Sequence, residues 1–388
     1  MTIDYSSTSG GPDQTAAEPG EQSSTAPVSG PPKVHSRPNA FRSAVDAVDE
    51  RMGLGALDYP VPEHANNLAW SLGGLTAVAL GVLIVTGVLL TQFYVPDPAA
   101  ANDSIRTIMN SVTLGAFVRN VHFWAAQAMY LLAGLHLIRV FITASYKRPR
   151  EGNWLIGASM FALTFLAIFS GTVLKWDQEG YEALGHNVET GALIGGAGFW
   201  FSPSFSQATS LLDRLYSAHV VLIPGLILVL LFVHVLLIKR HKISPHPLLA
   251  ATADGQAPAD EPTEPFTFHL RRVAAFGLVL VGILMLLALV LPQALGTPPV
   301  EGVEITKPPW LFWAFFTIEN LVGLQGILWG GVVFFGLIFL VPFVDRNPER
   351  HPSRRKVALT LGGLVLVTYL VLTVLMVVVP AKSHLGGM

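Results

Sequence analysis

The chain has 388 residues, of which 51% are hydrophobic and only 13% are charged, and this balance excludes an ordinary soluble domain. The formal net charge of −2 does not indicate a particular class of partner. Because the sequence contains no cysteine, disulfides, iron–sulfur ligation, thiolate catalysis and cysteine-tethered cofactors are excluded. Any metal chemistry must therefore depend on histidine, carboxylate or methionine.

Apolar runs of about twenty residues, long enough to cross a hydrocarbon core of about 30 Å, recur along the chain. They lie near residues 69–94, 121–143, 154–174, 218–238, 273–293, 326–344 and 358–380. Because backbone amides in lipid must be satisfied within their own segment, we expect seven transmembrane helices. The predicted fold is an all-α membrane bundle.

Cationic clusters follow the second, fourth and sixth spans, at residues 147–150, 239–242 and 346–356. The predicted topology places all three on one side of the membrane. The loops of the opposite side, 95–117, 175–217 and 294–325, hold few Lys or Arg for their length. The positive-inside bias therefore predicts a cytoplasmic N-terminus and a C-terminus outside.

The regions outside the spans differ in composition and suggest domain boundaries. Residues 1–40 are rich in Ser, Thr, Gly and Pro, and we expect them to be disordered. An amphipathic stretch from Phe41 to about Leu57 has helical spacing and fits a helix on the membrane surface or an ordinary surface helix equally well. The predicted segments are a surface segment at 41–66, a four-helix domain at 67–246, a polar linker at 247–268 and a three-helix domain at 269–388.

Four histidines lie inside the apolar spans, His122 and His136 on the second and His219 and His234 on the fourth. At about 100° per residue, a separation of 14 returns to within about 40° of one helix face, whereas 15 overshoots by about 60°. A rise of about 1.5 Å per residue separates the two histidines of each helix by about 21–22 Å. Two stacked levels follow, His122 with His219 near the outer surface and His136 with His234 near the inner surface.

Two imidazoles at each level, with no third ligand evident, suit six-coordinate haem iron better than tetrahedral zinc. We therefore predict two non-covalent b haems. A single intramembrane histidine is as easily a hydrogen-bonded core residue, but four at matched depths are not. Arg119 and Arg139, each three residues from a predicted ligand, fit either contacts with haem propionates or interfacial anchors.

Glycines repeat the separation of 14 on two other spans, Gly73 and Gly87 on the first and Gly157 and Gly171 on the third. They fall at the same two predicted depths as the histidines. Glycine lets a helix backbone approach a flat haem ring, although glycine pairs also serve ordinary helix packing. Beside the histidines, they favour haem contact.

From about residue 55 to 380 the sequence resembles the cytochrome b and b6 family of quinol:cytochrome c and quinol:plastocyanin oxidoreductases. The resemblance lies in Ser71-Leu-Gly-Gly74, Arg119-Asn-Val-His122, His136-Leu-Ile-Arg139, Lys147-Arg-Pro-Arg-Glu151, Trp176-Asp-Gln178 and Arg214-Leu-Tyr-Ser-Ala-His219. The separation of 15 between His219 and His234 is similar to the b6 branch. The seven spans resemble b6 fused to its three-helix partner, subunit IV.

The resemblance implies a bacterial cell-membrane protein, the di-haem cytochrome b subunit of a cytochrome bc complex. Such a subunit oxidises a menaquinol or ubiquinol at an outer site and passes electrons through two b haems to an inner quinone site, in a proton-translocating Q cycle. The implied partners are a Rieske iron–sulfur protein, a cytochrome c-type subunit, quinone and membrane lipid, in a dimer of multi-subunit protomers. No nucleic-acid partner is expected.

The resemblance places an outer quinol site between the end of the third span and the loop before the sixth. The candidate residues are Trp176, Asp177, Glu179, Tyr181, Glu304, Pro308, Pro309, Trp310 and Glu319. In the family a Pro-Glu-Trp-Tyr motif supplies a proton-accepting glutamate, but here Pro309 stands in its place and has no side-chain base. We hypothesise that Glu319, Glu304 or Glu179 supplies the carboxylate.

Two further positions bear on the cofactors. Ser71 stands where the b6 branch carries the cysteine of an additional c-type haem, so we predict no covalent haem c on this chain. Lys239 matches a basic residue near the family's quinone-reduction site, or is simply part of the cationic cluster around it.

Two alternative functions stay open. One is a di-haem membrane anchor that relays electrons between quinone and another oxidoreductase without bifurcation, which the missing glutamate favours. The other is a non-redox membrane transporter, although we find no internal repeat of the kind that many transporters show.

Overall fold

The computed structural model describes residues 58–248, 261–380 and 382–385, together with residues 47, 50 and 51. Ten helices in these stretches form the bundle: α1 (Leu68–Thr91), α2 (Ala101–Asn110), α3 (Gly115–Ile142), α4 (Glu151–Leu174), α5 (Gln178–Leu193), α6 (Leu211–His241), α7 (Phe266–Val290), α8 (Trp313–Val322), α9 (Gln325–Val344) and α10 (Lys356–Val378). Seven of the described helices, all except α2, α5 and α8, are long and apolar enough to cross a membrane. The predicted all-α bundle of seven spans is confirmed.

Several membrane helices begin earlier than their apolar runs. Helix α3 begins at Gly115, α6 at Leu211 and α7 at Phe266, whereas the apolar runs begin near residues 121, 218 and 273. The early turns carry polar residues such as Arg119 and Asp213, which lower the local hydropathy without preventing helix formation. Hydropathy therefore located the spans but not the true helix starts.

The three short helices α2, α5 and α8 lie in the segments that the sequence treated as loops. They have 10, 16 and 10 residues, too short to give a membrane-span signal. Helix α5 packs on α4, and α8 packs on α9 and α10. These helices, rather than irregular chain, build the end of the bundle where α4 terminates.

Much of the predicted N-terminal region and linker lies outside the described residues. This applies to the segment 1–40 and to most of the amphipathic stretch, of which residues 47, 50 and 51 are helical. Of the predicted linker, residues 249–260 are not described. The rest of it is not all loop, because its last residues form a strand and the start of α7.

Two short strands, β1 (Pro60–Pro62) and β2 (Thr263–Pro265), pair in an antiparallel ladder. Val61 lies opposite Glu264 and is fully buried. The ladder was not predicted, because three-residue strands with prolines show no alternating pattern. It joins the segment before α1 to the segment before α7, so the predicted surface segment and the predicted linker are hydrogen-bonded to each other.

The membrane helices pack as pairs. Helix α1 lies against α3, α4 against α6, and α7 against both α1 and α3. Helix α9 packs on α4 through Phe335, whose ring centroid lies 6.3 Å from that of Phe161, and through Ile338, whose carbonyl accepts from the Trp154 indole at 2.9 Å. Outward apolar side chains such as Leu278, 76% exposed, form the surface that lipid would cover.

The three predicted cationic clusters meet at one end of the bundle, which we call the lower end. Arg150 on the α3–α4 loop donates to the carbonyl of His241 at 2.7 Å. Arg350, after α9, donates to the carbonyl of Arg148 at 2.9 Å. The clusters therefore share one side, as the sequence predicted.

A buried ion cluster fixes the lower end of the C-terminal helices to the α3–α4 loop. Arg355, whose side chain is fully buried, contacts Asp345 at 3.0 Å and also donates to the Tyr146 hydroxyl at 2.9 Å. Lys147 donates to the other carboxylate oxygen of Asp345 at 3.1 Å. One carboxylate therefore balances two buried cations from different parts of the chain.

Replacing Asp345 with Asn should lower the free energy of unfolding by about 3–5 kcal/mol, because Arg355 and Lys147 would lose their buried counter-charge. The measurement is denaturant or thermal unfolding of the detergent-purified protein. Glu349→Gln is the control, since the Glu349–Arg354 pair is largely exposed and should contribute no more than about 1 kcal/mol. Equal effects of the two substitutions would contradict a stabilising role for the buried cluster.

Candidate functional site

Helix α6 is irregular where it carries His219. Residues Ala218–Leu222 form a π-helical turn, in which the N–H of Ile223 donates to the carbonyl of Ala218 five residues earlier. Pro224 has no N–H to bond Val220, and its ring crowds that carbonyl, which accounts for the widened turn. The π turn therefore contains one residue more than a regular α-helical turn.

This π turn removes the overshoot expected for a regular helix. His219 and His234 are 15 residues apart, yet both side chains face α4, His219 at Gly171 and His234 at Gly157. The expected misalignment of about 60° assumed an unbroken α-helix and does not occur. His219 and His234 therefore have the same partner helix, as His122 and His136 do on α3.

Each of the four histidines lies against a glycine of the neighbouring helix. A Cβ at Gly73 would lie 2.9 Å from Cε1 of His136, and one at Gly87 would lie 3.3 Å from Cε1 of His122. On the other helix pair, a Cβ at Gly171 would lie 3.0 Å from His219 and one at Gly157 would lie 3.5 Å from His234. The predicted haem-contact glycines therefore make room for the imidazole rings themselves.

At the upper level, defined by His122 and His219, the two rings face each other. Their centroids are 6.3 Å apart and their planes make an angle of 60°. Two metal–nitrogen bonds of about 2 Å each, added to the depth of the two rings, give a centroid separation of about 6 Å. The spacing therefore fits two axial ligands of one metal.

Hydroxyl groups orient both upper rings. The hydroxyl of Thr86 lies 2.9 Å from Nδ1 of His122, and that of Ser170 lies 2.9 Å from Nδ1 of His219. Each hydroxyl also donates to a backbone carbonyl of its own helix, so it can accept from the Nδ1–H. That tautomer leaves Nε2 with a lone pair for a metal.

The lower level, defined by His136 and His234, leaves polar atoms without protein partners. Arg139 lies 3.3 Å from Nδ1 of His136 and stacks on the Trp70 ring at 4.4 Å. Within the described part of the chain, Nε of Arg139 and Nδ1 of His234 are buried without hydrogen bonds. A guanidinium with one unsatisfied N–H beside a histidine suits a bound group with acidic substituents.

A haem fits these two levels better than a bare metal ion. Among the described residues no group of three or more His, Asp or Glu could hold an ion. A porphyrin supplies the equatorial nitrogens itself and needs only two axial imidazoles. Arg119, the other predicted propionate partner, donates to the carbonyl of Gln293 at 2.7 Å.

Several predicted outer-site residues lie together where α4 ends. Asp177, almost fully buried, caps α5 through the N–H of Gly180 and accepts from the N–H of Gly296, both at 3.0 Å. The Trp176 and Tyr181 rings are 5.7 Å apart. These contacts connect the end of α4 to the segment that follows α7.

The segment with Pro308, Pro309 and Trp310 packs across α3. The Trp310 indole donates to Gln127 at 2.7 Å, and the Trp313 indole donates to the Pro308 carbonyl at 2.7 Å. Pro309 precedes a short 3₁₀ turn, Trp310–Phe312. No side-chain base stands at this point of the segment.

The three candidate carboxylates differ in their surroundings. Glu179 pairs with Lys175 at 2.5 Å. Glu304 and Glu319 instead approach one imidazole nitrogen, Nε2 of His186, at 3.4 and 3.3 Å. The structure therefore brings two of the three together and leaves Glu179 in a separate ion pair.

His186 on α5 was missed by the sequence analysis. It follows Gln178 and Glu182 at intervals of four, so all three lie on one face of α5. Glu182 accepts from the N–H groups of Ile305 and Thr306 at 2.9 and 3.0 Å, which holds the loop that carries Glu304. The spacing of four residues between these polar side chains was the sequence signal that could have identified His186.

Charge pairing governs ionisation in this cluster. Burial lowers the pKa of His186, but its contacts with Glu304 and Glu319 outweigh burial and raise the pKa to about 10. Burial raises the pKa of Glu304, but the nearby His186 ring and hydrogen bonds from the backbone N–H groups of Leu385 and His384 lower it to about 2. At neutral pH the imidazolium and the Glu304 carboxylate are both charged.

Comparison with known proteins identifies the family. A sequence model described as cytochrome b/b6/petB matches residues 56–242. Cytochrome b6 of Heliobacterium mobile is 36% identical over 207 residues, which are 51% of this chain and 97% of that protein. The chain belongs to the cytochrome b/b6 family.

Two further similarities extend this assignment. This cytochrome b/b6 chain is 35% identical over 219 residues to the menaquinol:cytochrome c reductase cytochrome b subunit of Geobacillus thermodenitrificans, covering 51% of this chain and 96% of that one. A solved structure described as a hyperthermophilic respiratory Complex III has a TM-score of 0.75 at 22% identity. It covers 87% of this chain and 92% of the other, so the shared fold continues beyond residue 242.

Replacing Gly73 with Val in this cytochrome b/b6 chain should displace His136 and remove about half of the bound haem, because the added side chain would overlap the ring. The measurement is haem per chain by pyridine haemochrome analysis.

Gly81→Val on the same helix is the matched control, since a Cβ there meets nothing within 4 Å. It should leave the haem content unchanged. Full haem content in Gly73→Val would show that this glycine does not serve the lower histidine pair.

Proposed function

We propose that this chain is the di-haem cytochrome b subunit of a membrane-bound quinol:cytochrome c oxidoreductase. The observation that carries the proposal is the arrangement of four half-buried histidines in two levels, each against a glycine of the neighbouring helix. The relationship to a menaquinol:cytochrome c reductase subunit supports it. A non-redox transporter has no need for such paired imidazoles.

The axial ligands would be His122 and His219 at the upper level and His136 and His234 at the lower level. Thr86 would hold His122 in the tautomer whose Nε2 binds metal, and Arg139 would bond an acidic substituent of the lower group. Bound in this way, two b haems would supply one-electron carriers at two depths of the membrane. The protein's task is to orient the rings and exclude water.

We assign the lower end of the bundle to the cytoplasm. The three cationic clusters at that end support this orientation through the positive-inside bias. The upper level would then lie near the outer face, with the N-terminus cytoplasmic and the C-terminus outside. Lys239, in the last turn of α6, would stand near the lower quinone site.

An outer quinol site would be bordered by Trp176, Tyr181 and Trp310. Pro309 offers no proton acceptor there, and Glu319 is the strongest replacement. Its side chain is only 1% exposed, and within the described residues its Oε1 has no hydrogen bond. Glu179 is paired with Lys175, and Glu304 already accepts several hydrogen bonds.

Oxidation of a quinol to a quinone releases two electrons and two protons. We assign to the Glu319 carboxylate the acceptance of a proton from the quinol hydroxyl. In a Q cycle the electrons leave by two routes, one of them through a Rieske iron–sulfur partner and a cytochrome c-type subunit. Release of the proton on the outer side would couple this reaction to proton translocation.

The second candidate is a di-haem anchor that relays electrons without bifurcation, and Pro309 is the observation that favours it. The two functions differ in partners and in electron routing. Copurification of a Rieske protein, and oxidant-induced reduction of the b haems with the lower quinone site blocked, would support the first. Absence of both would support the relay.

Replacing Glu319 with Gln should lower the rate of quinol oxidation by about 100-fold, because the proton acceptor would be lost. Both haems should remain visible in the reduced-minus-oxidised spectrum of the purified complex. Glu301→Gln, an exposed carboxylate on the same side, is the control and should leave the rate unchanged. A normal rate in Glu319→Gln with a slow rate in Glu179→Gln or Glu304→Gln would assign the role elsewhere.

A further inference from the structure

His186 joins two carboxylates that come from different segments of the chain. Glu319 lies on α8, and Glu304 lies in the loop that precedes it. Side-chain exposure rises along the series, from 1% at Glu319 to 7% at His186 and 11% at Glu304. The three groups therefore lead from the buried interior toward the surface.

We propose that His186 passes the proton accepted by Glu319 to Glu304, from which the proton leaves the protein on the outer side. This inference rests on the proposed oxidation of quinol near Glu319. It assigns His186 a role as a relay that acts through Glu319 rather than on the quinol itself. Neither the family resemblance nor the sequence pattern of the spans pointed to this residue.

The His186 ring is held so that only one nitrogen can take part. Its Nδ1 lies 2.8 Å from the carbonyl of Glu182, and the ring packs against Phe316 with centroids 4.9 Å apart. Nε2 lies at almost equal distances from Glu304 and Glu319, and among the described residues it forms no aligned hydrogen bond with either. A single N–H between two acceptors can bond to either carboxylate after a small movement.

The proton balance follows from this geometry. His186 starts as an imidazolium between two carboxylates. When Glu319 takes a proton from quinol, Nε2–H of His186 passes its own proton to Glu304, and the proton on Glu319 refills Nε2. Glu304 then releases one proton to water, so one proton enters and one leaves while the cluster returns to its starting state.

The charges of the cluster determine when the transfer can occur. The raised pKa of His186, about 10, and the lowered pKa of Glu304, about 2, make the imidazolium and the carboxylate the resting forms at neutral pH, so proton transfer between them is uphill in the resting cluster. Protonation of Glu319 removes one of the two negative charges that stabilise the imidazolium. The imidazolium therefore becomes a stronger acid at the moment when the next transfer is needed.

The C-terminal segment 382–385 covers the Glu304 end of this route. Ser383 donates to the Glu304 carboxylate at 2.9 Å, and the N–H groups of His384 and Leu385 donate at 2.8 and 3.0 Å. Lys382 anchors the segment through the carbonyl of Asn320 at 2.8 Å. Other titratable groups near this route, among the described residues, include Lys382 and His384 on this segment and Glu182 on α5, whose carboxylate holds the loop that carries Glu304.

The test uses the intact complex with a reduced quinol and measures kcat, KM, pH dependence and the solvent deuterium isotope effect. His186→Gln should lower kcat by about 10-fold or more with little change in KM, because quinol binding remains but proton removal slows. The isotope effect should rise. The pH profile should also shift, because hydroxide from water would then have to remove the proton from Glu319. His186→Gly should regain activity when imidazole is added.

His269→Gln is the matched control, since His269 is a partly buried histidine bonded to Asn66 at the opposite end of the bundle. It should leave kcat, the pH profile and the isotope effect unchanged. Glu304→Gln is the second relay variant and should reproduce the loss of kcat seen in His186→Gln. A normal rate in Glu304→Gln overturns the relay, whether or not His186→Gln assembles.

The outcomes separate the relay from the proposed function. If Glu319→Gln is slow while His186→Gln keeps the kcat, pH profile and isotope effect of the unmodified complex, the relay is wrong and the function stands. If the unmodified complex does not oxidise quinol at all, the proposed function fails first. Infrared detection of a carboxyl group that becomes protonated on quinol addition, and persists longer in His186→Gln, would support the relay independently of turnover.

Discussion

The close approach of helix backbones to half-buried imidazole rings is the constraint on which the rest of this structure depends. An imidazole inside an apolar bundle needs space, an orienting partner for one nitrogen and something for the other nitrogen to bind. Glycines on α1 and α4 provide the space, and hydroxyls such as those of Thr86 and Ser170 provide the orientation at the upper level. The pairing of α1 with α3 and of α4 with α6 follows from these contacts.

The same constraint explains the irregular turn in α6. A regular helix would turn His219 and His234 toward different neighbours, because their spacing does not match the helical repeat. The π turn beside Pro224 corrects this locally and leaves the rest of α6 regular. The irregularity is thus confined to the one turn that carries a predicted ligand, as is common for π turns at functional sites.

Sequence reasoning succeeded where the signal was long or repeated. Seven apolar runs and four histidines at two depths predicted the bundle and both candidate levels, because membrane thickness limits what a span can be. It failed where the signal was short: the β1–β2 ladder, the helix α5 and therefore His186 lay in segments taken as loop or linker. The pairing of His186 with Glu304 and Glu319 could not be predicted, since those residues come from segments distant in sequence. Pro224 could have predicted the π turn, because a proline has no N–H to complete the regular helical hydrogen bond.

The contacts at the lower end have a consequence for how such a chain can be made. The β1–β2 ladder joins the segments before α1 and before α7, and the Arg355 cluster joins the α3–α4 loop to the C-terminal helices. Neither contact depends on an unbroken chain between residues 248 and 261. Two separate polypeptides, cut in that interval, would retain the same non-covalent connections, so one gene or two could encode the same bundle.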